Sequence, residues 1–96
     1  KLGTLVVQNN KKTTTGIITD GQIRRFSGAN NNLQNLTVKA VMTKNPISIE
    51  RDTLVEKALS IMNIKKITTL CVHSKKSVKK TIGILHIHKI LESNIN

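Results

Sequence analysis

A mixed α/β fold of two small sheets with short helices is what the sequence predicts. Three observations carry it: one strand–loop–strand–helix plan that occurs twice, aliphatic runs of strand length, and amphipathic runs of helix length. GTLVVQNNKKTTTGIITDGQIRRF (3–26) and TTLCVHSKKSVKKTIGILHIHKIL (68–91) share the plan. Thr4-Leu5-Val6-Val7 matches Thr69-Leu70-Cys71-Val72, and Gly16-Ile17-Ile18 matches Gly83-Ile84-Leu85.

The elements follow in order. A strand over 4–7 leads through a polar, lysine-bearing loop to a strand ending at Gly16-Ile17-Ile18. Thr19, Asp20 and Gly21 turn the chain, and Asp20 stands at the helix start, an N-cap position. Ile23 and Phe26 give the helix that follows its apolar stripe. Residues 27–44 connect the repeats, with Gly28 and the Asn30–Asn32 run read as loop and Thr37 as the cap of a short turn through Val38, Val41 and Met42. A strand around 47–49 comes next. A helix over 53–64 should begin in a capping box of Thr53 and Glu56 and pack through Leu54, Ala58 and Ile61. Strands over 68–73 and 82–86 and a helix over 87–94, packing through Ile90 and Leu91, complete the second repeat; its loop is two residues longer than the first.

The first repeat lacks the strand and helix that open the second. The organisation expected is the back half of a first repeat over 1–28, a linker over 29–40 and a whole unit over 41–96. With Lys1 first and no initiator methionine before it, the expectation is that the chain is part of something longer. A half repeat would leave 4–7, 17–18 and 23–26 without cover. Buried apolar surface is worth about 25 cal/mol per Å², so self-association as a homodimer or larger assembly is expected.

The composition excludes several classes. Ninety-six residues suit one small domain, and its core must be aliphatic, since Phe26 is the sole aromatic residue. The single cysteine, Cys71, rules out an internal disulfide, suits a reducing compartment and sits in an apolar strand. No run approaches the length of a membrane span. The formal charge of +11 suggests polyanions. The lysines are scattered among asparagines and isoleucines, however, as an AT-rich genome would produce, and no aromatic platform stands ready to stack bases, which argues against a nucleic-acid partner. With five acids and no nucleophile–base pair, no catalytic residue is assigned.

The β-α-β-β-α unit resembles a CBS domain, the regulatory module that occurs in tandem pairs. VMTKNPISIERDTLVEKAL resembles the opening of such a domain and LVVQNNKKTTTGIITDGQIRR its second half. TDGQIRR is similar to the TDGDLRR signature of arabinose-5-phosphate isomerases, and GILHIHKILESNI to the GIIHIHDLL segment that closes the same family. The resemblance implies a regulatory and oligomerising module attached to a cytoplasmic isomerase domain. That domain interconverts ribulose 5-phosphate and arabinose 5-phosphate on the route to Kdo and lipopolysaccharide. A purely structural dimerisation module, or a CBS module of another protein, is the alternative.

The resemblance also implies a site. In CBS domains a Thr or Ser at the strand-to-helix turn contacts phosphate, and an Asp three residues later takes the ribose hydroxyls. Here the positions are Thr19 and Gln22, and in the second repeat His86 and Lys89. Both ribose-reading carboxylates are missing. What remains is a polar, cationic set, Thr19, Asp20, Gln22, Arg24, His86, His88 and Lys89, with Arg25 near Arg24. It suits an anion such as a nucleotide or a sugar nucleotide of the CMP-Kdo kind better than adenosine. Alternate histidines at 86 and 88 can also bind zinc, but no acid or cysteine is near in sequence and His73 is the sole further histidine, so no metal is assigned.

Overall fold

The computed structural model of the protein describes residues 3–30 and 35–93. The chain divides into two compact units, Lys1–Pro46 and Ile47–Asn96.

In the first unit, β1 (Thr4–Gln8), β2 (Thr14–Thr19) and β3 (Thr43–Lys44) form an antiparallel sheet in that order, with α1 (Asp20–Asn30) and α2 (Val38–Val41) between β2 and β3. Asn9 closes the five-residue hairpin loop between β1 and β2: its Oδ1 accepts from the amides of Lys11 (2.9 Å) and Thr13 (3.0 Å). Lys12, at φ 63°, takes the left-handed turn position and donates its amide to the Asn9 carbonyl. Thr37 caps α2 as its sequence position implies, its hydroxyl accepting from the Ala40 amide at 3.1 Å. Ile17 and Ile18, on β2, the middle strand of this sheet, are buried, against the expectation that they would lack cover. α1 also runs through Ser27, Gly28 and Ala29 to Asn30 rather than ending in a loop there. A helix already nucleated tolerates one glycine at about 1 kcal/mol relative to alanine. Asn31 and Asn32 lie outside the described residues.

In the second unit, β4 (Ser48–Glu50) runs parallel to β5 (Thr69–His73), the two joined through α3 (Val55–Lys65), and β6 (Thr81–His86) pairs antiparallel with β5 before α4 (Ile87–Ser93). A parallel pair needs such a crossover because its strands run in the same direction. Ala58, Met62, Leu70 and Ile90 form the buried core, with Ile47, Ile49, Ile61 and Leu85 among the residues packed against it. The i, i+4 spacing of Ala58 and Met62 puts both on the sheet-facing side of α3.

Three expectations about α3 and α4 are corrected. Thr53 does not cap: its amide closes a turn onto the Glu50 carbonyl at 3.0 Å, and Leu54, at φ −65° and ψ 142°, is the N-cap with no side-chain bond. The chain thus stays in the turn beyond Thr53, and Leu54 falls outside the helical period and is 74% exposed rather than packed. Leu91 is likewise exposed, whereas its neighbour Ile90 is buried. At the other end Lys66, at φ 57°, terminates α3 in the left-handed conformation, and the Ile67 amide reaches back to the Met62 carbonyl.

The two hairpins share one register. Thr4, Leu5, Val6 and Val7 face Thr19, Ile18, Ile17 and Gly16, just as Thr69, Leu70, Cys71 and Val72 face His86, Leu85, Ile84 and Gly83. Each has its irregularity at the same place, between Val7 and Gln8 and between Val72 and His73. The loops differ, with five residues in the first and seven in the second.

Candidate functional site

Each repeat brings its candidate residues to the turn where its hairpin enters a helix. In the first unit, Thr19 ends β2 and Asp20, Gln22 and Arg24 lie in the first turns of α1. Thr19 and Gln22 form a reciprocal capping box. The Gln22 Oε1 accepts from the Thr19 amide at 2.8 Å and lies 3.2 Å from its hydroxyl, while the Gln22 amide points back to Thr19 Oγ1 at 3.4 Å. Gln22 Nε2 donates to Thr43 Oγ1 at 2.6 Å and to the Val41 carbonyl at 3.4 Å. Its side-chain amide is therefore engaged at both ends, tying the start of α1 to the end of α2 and to β3.

The capping role thus belongs to Thr19 and not to Asp20, which is already the first helical residue. The Asp20 carboxylate instead lies 3.7 Å from the Arg24 guanidinium, one helical turn on. Both groups are largely exposed, so the pair contributes a few tenths of a kcal/mol at most, roughly. Asp20 also suits the positive end of the α1 dipole.

Gly16 supports this turn from behind. A β-carbon there would collide with the Met42 side chain and meet the Thr43 carbonyl oxygen at 3.0 Å. The close approach of Met42 and β3, and with it the Gln22–Thr43 bond, depends on a residue without a side chain.

In the second unit, His86 ends β6, and His88 and Lys89 stand in α4. The His86 and His88 rings stack with centroids 4.9 Å apart and planes 29° from parallel. His86 Nδ1 accepts from the His88 amide at 3.2 Å, which places any ring proton of neutral His86 on Nε2. Lys89 reaches Glu92 at 4.0 Å on an exposed helix face. His73 is at the far end of β5, its Nδ1 within 2.8 Å of the Ser74 carbonyl. Among the described residues, no group of three or more His, Cys, Asp or Glu side chains is placed to hold a metal ion, and no helix is long and apolar enough to cross a membrane.

Cys71 is buried in β5. Burial pushes its thiol up from the ordinary range, and a hydrogen bond with the Thr81 side chain offsets part of that rise. A thiol held protonated is a poor nucleophile. In the same sheet the hydroxyl oxygens of Ser48, on β4, and Thr69, on β5, are buried without a protein partner.

Thr43 and the Val41 carbonyl are the partners that sequence reasoning missed. The Thr-x-x-Gln spacing of 19 and 22 was the available signal for the box itself.

A family model described as CBS domain matches residues 38–95. The chain is similar to an arabinose 5-phosphate isomerase of Francisella tularensis, 36% identical over 89 residues that cover 93% of this chain and 26% of that protein. It is similar to an uncharacterised protein of Rickettsia prowazekii, 32% identical over 96 residues, covering 100% of this chain and 28% of that one. The chain thus spans about a quarter of the length of these curated relatives. Among solved structures it is similar to a CBS-domain protein of Agrobacterium tumefaciens, with TM-score 0.82, 18% identity and coverage of 96% of this chain and 71% of that one. It is also similar to a CBS domain pair solved with 5′-methylthioadenosine and S-adenosyl-L-methionine, with TM-score 0.79, 23% identity and coverage of 97% and 72%. These two likenesses are of fold.

Proposed function

The chain belongs to the CBS-domain family, and from that premise we propose that it is the regulatory and oligomerising module of a sugar-phosphate isomerase acting between ribulose 5-phosphate and arabinose 5-phosphate. One observation carries the reading: the similarity to an isomerase of that name covers 93% of the chain, and so takes in both repeats rather than the second alone. The module itself is non-catalytic, works in the cytoplasm and assembles with a second copy.

Its effector is an anion, a nucleotide or sugar nucleotide of the CMP-Kdo kind. The adenosine ligands of the CBS pair described above are a weaker fit. Gln22 stands where a ribose-reading carboxylate would be, and its amide is already bonded to Thr19, Thr43 and Val41. A ligand at that turn must displace bonds already made. At each turn, taken by itself, donors stand ready for phosphate: Arg24 in the first unit, and His86, His88 and Lys89 in the second.

A second reading, a purely structural dimerisation module, is favoured by the same closed Thr19–Gln22 box. The two are separated by titrating the chain with CMP-Kdo, AMP and ATP in a thermal-shift assay, and by assaying the isomerase with and without this module. Binding to the folded state raises the melting point by mass action. The regulatory reading expects a saturable rise with CMP-Kdo and an activity that responds to it only when the module is present. No rise with any nucleotide, together with unchanged activity but lost assembly on deletion, replaces it with the structural one.

A further inference from the structure

The chain has two methionines, in contrasting places. Met62 is 1% exposed in the core of the second unit. Met42 is half-buried in the first unit, between α2 and the two-residue strand β3. It is the C-cap of α2, its amide donating to the Val38 carbonyl at 2.9 Å. Its sulfur occupies the place where a side chain of residue 16 would begin: a β-carbon on Gly16 would fall onto Met42 Sδ and lie 2.8 Å from its Cγ. β2 thus has a notch at Gly16, and the unbranched thioether fills it.

The fit at that notch bears directly on the candidate site. β3 pairs with β2 through two positions, Gly16 with Lys44 and Ile17 with Thr43. Gln22 Nε2 reaches the Val41 carbonyl at 3.4 Å and Thr43 Oγ1 at 2.6 Å, the residues immediately before and after Met42. Whatever displaces the Met42 side chain moves both partners of that amide.

We infer that Met42 is a peroxide-sensitive latch on the Thr19–Gln22 turn. Hydrogen peroxide delivers one oxygen to the thioether: a sulfur lone pair forms the S–O bond as the O–O bond breaks, and the other oxygen leaves as water. The sulfur is oxidised by two electrons and the peroxide reduced by two. A sulfoxide is bulkier and polar, and it no longer fits against the Gly16 backbone. β3 then lifts from β2, and Gln22 loses its hold on Thr43 and Val41. Met62 is shielded by burial. Cys71, the other oxidisable side chain, is buried and its thiol is held protonated, so it reacts slowly. The latch acts on the turn itself, whatever anion the turn takes.

The test treats the full chain with hydrogen peroxide and follows each methionine and Cys71 by peptide mass spectrometry. Amide hydrogen exchange is read over 14–22 and 41–45, with 69–73 as the control. Met42 should oxidise about tenfold faster than Met62 or more, since susceptibility follows exposure. Exchange over 14–22 and 41–45 should quicken by about tenfold in step with the sulfoxide, as local opening becomes easier, while 69–73 stays unchanged. Methionine sulfoxide reductase should restore the slow exchange. Met42→Leu keeps the volume of the side chain and should make exchange indifferent to peroxide. Equal oxidation of the two methionines, a Met42 sulfoxide that leaves exchange over 14–22 and 41–45 as it was, or the same loosening in Met42→Leu would each overturn the inference. Should Met42→Leu misfold, the reductase decides alone: loosening that persists once the sulfoxide is reduced overturns it equally.

Discussion

Leu5 and Leu70 occupy the same register position in their hairpins, opposite Ile18 and Leu85, yet Leu5 is 64% exposed and Leu70 is 0%. The difference lies in what each unit lays over its hairpin. The second unit has α3 between β4 and β5, and Ala58 and Met62 of that helix close over Leu70. The described elements of the first unit contain no counterpart of α3. Matching positions in a repeat therefore share backbone geometry but not energetics.

Four paired substitutions test how far the two regions differ, and the first should show the largest gap. Leu70→Ala removes a fully buried side chain and is expected to cost about 2–5 kcal/mol in urea unfolding, whereas Leu5→Ala should stay within roughly 0.5 kcal/mol. Equal losses would mean that Leu5 is covered in solution, and sedimentation would then show whether a second copy covers it. Gly16→Ala forces Met42 and β3 aside and should cost about 1–3 kcal/mol. Its partner Gly83→Ala has open space and should be neutral or slightly stabilising, by up to about 0.5 kcal/mol as chain entropy is reduced.

Gln22→Ala breaks the capping box and the bonds to Thr43 and Val41, for an expected loss of about 1–2 kcal/mol. Lys89→Ala, at the matching position, loses an exposed ion pair and should change stability by roughly 0.5 kcal/mol or less. A Lys89 variant as damaging as the Gln22 variant would show that the second turn is built like the first. The smallest gap should separate Thr19→Ala, a lost cap of about 1 kcal/mol, from Thr53→Ala, near zero. Parallel melting curves of the two variants decide it, and a cost at Thr53 equal to that at Thr19 would restore the capping box that the α3 geometry lacks.

The last pair also shows what the sequence could and could not reveal. Both 19–22 and 53–56 carry the Thr-x-x-Gln/Glu spacing. The box formed at Thr19, where Gln22 has Thr43 to hold its other end. It did not form at Thr53, whose amide is engaged in a turn with Glu50. A four-residue pattern cannot register a partner twenty-one positions away. The hairpins were legible because Leu-Val-Val against Gly-Ile-Ile, repeated as Leu-Cys-Val against Gly-Ile-Leu, fixes both pairing and register. β3 was not legible, since two residues, Thr43 and Lys44, carry no period. The candidate site was legible as a set of positions; that Thr19 and Gln22 spend their polar atoms on each other depends on side-chain geometry.

The hairpin loops, five residues in one repeat and seven in the other, leave register and bulge unchanged. By chain statistics the longer loop costs only about 0.3 kcal/mol more to close. The tips are thus insulated from the sheets below them. For protein engineering, the tip at Lys76–Lys79 is a socket: a tag, a fluorophore-bearing peptide or a small folded insert placed there should report on the module without disturbing either turn.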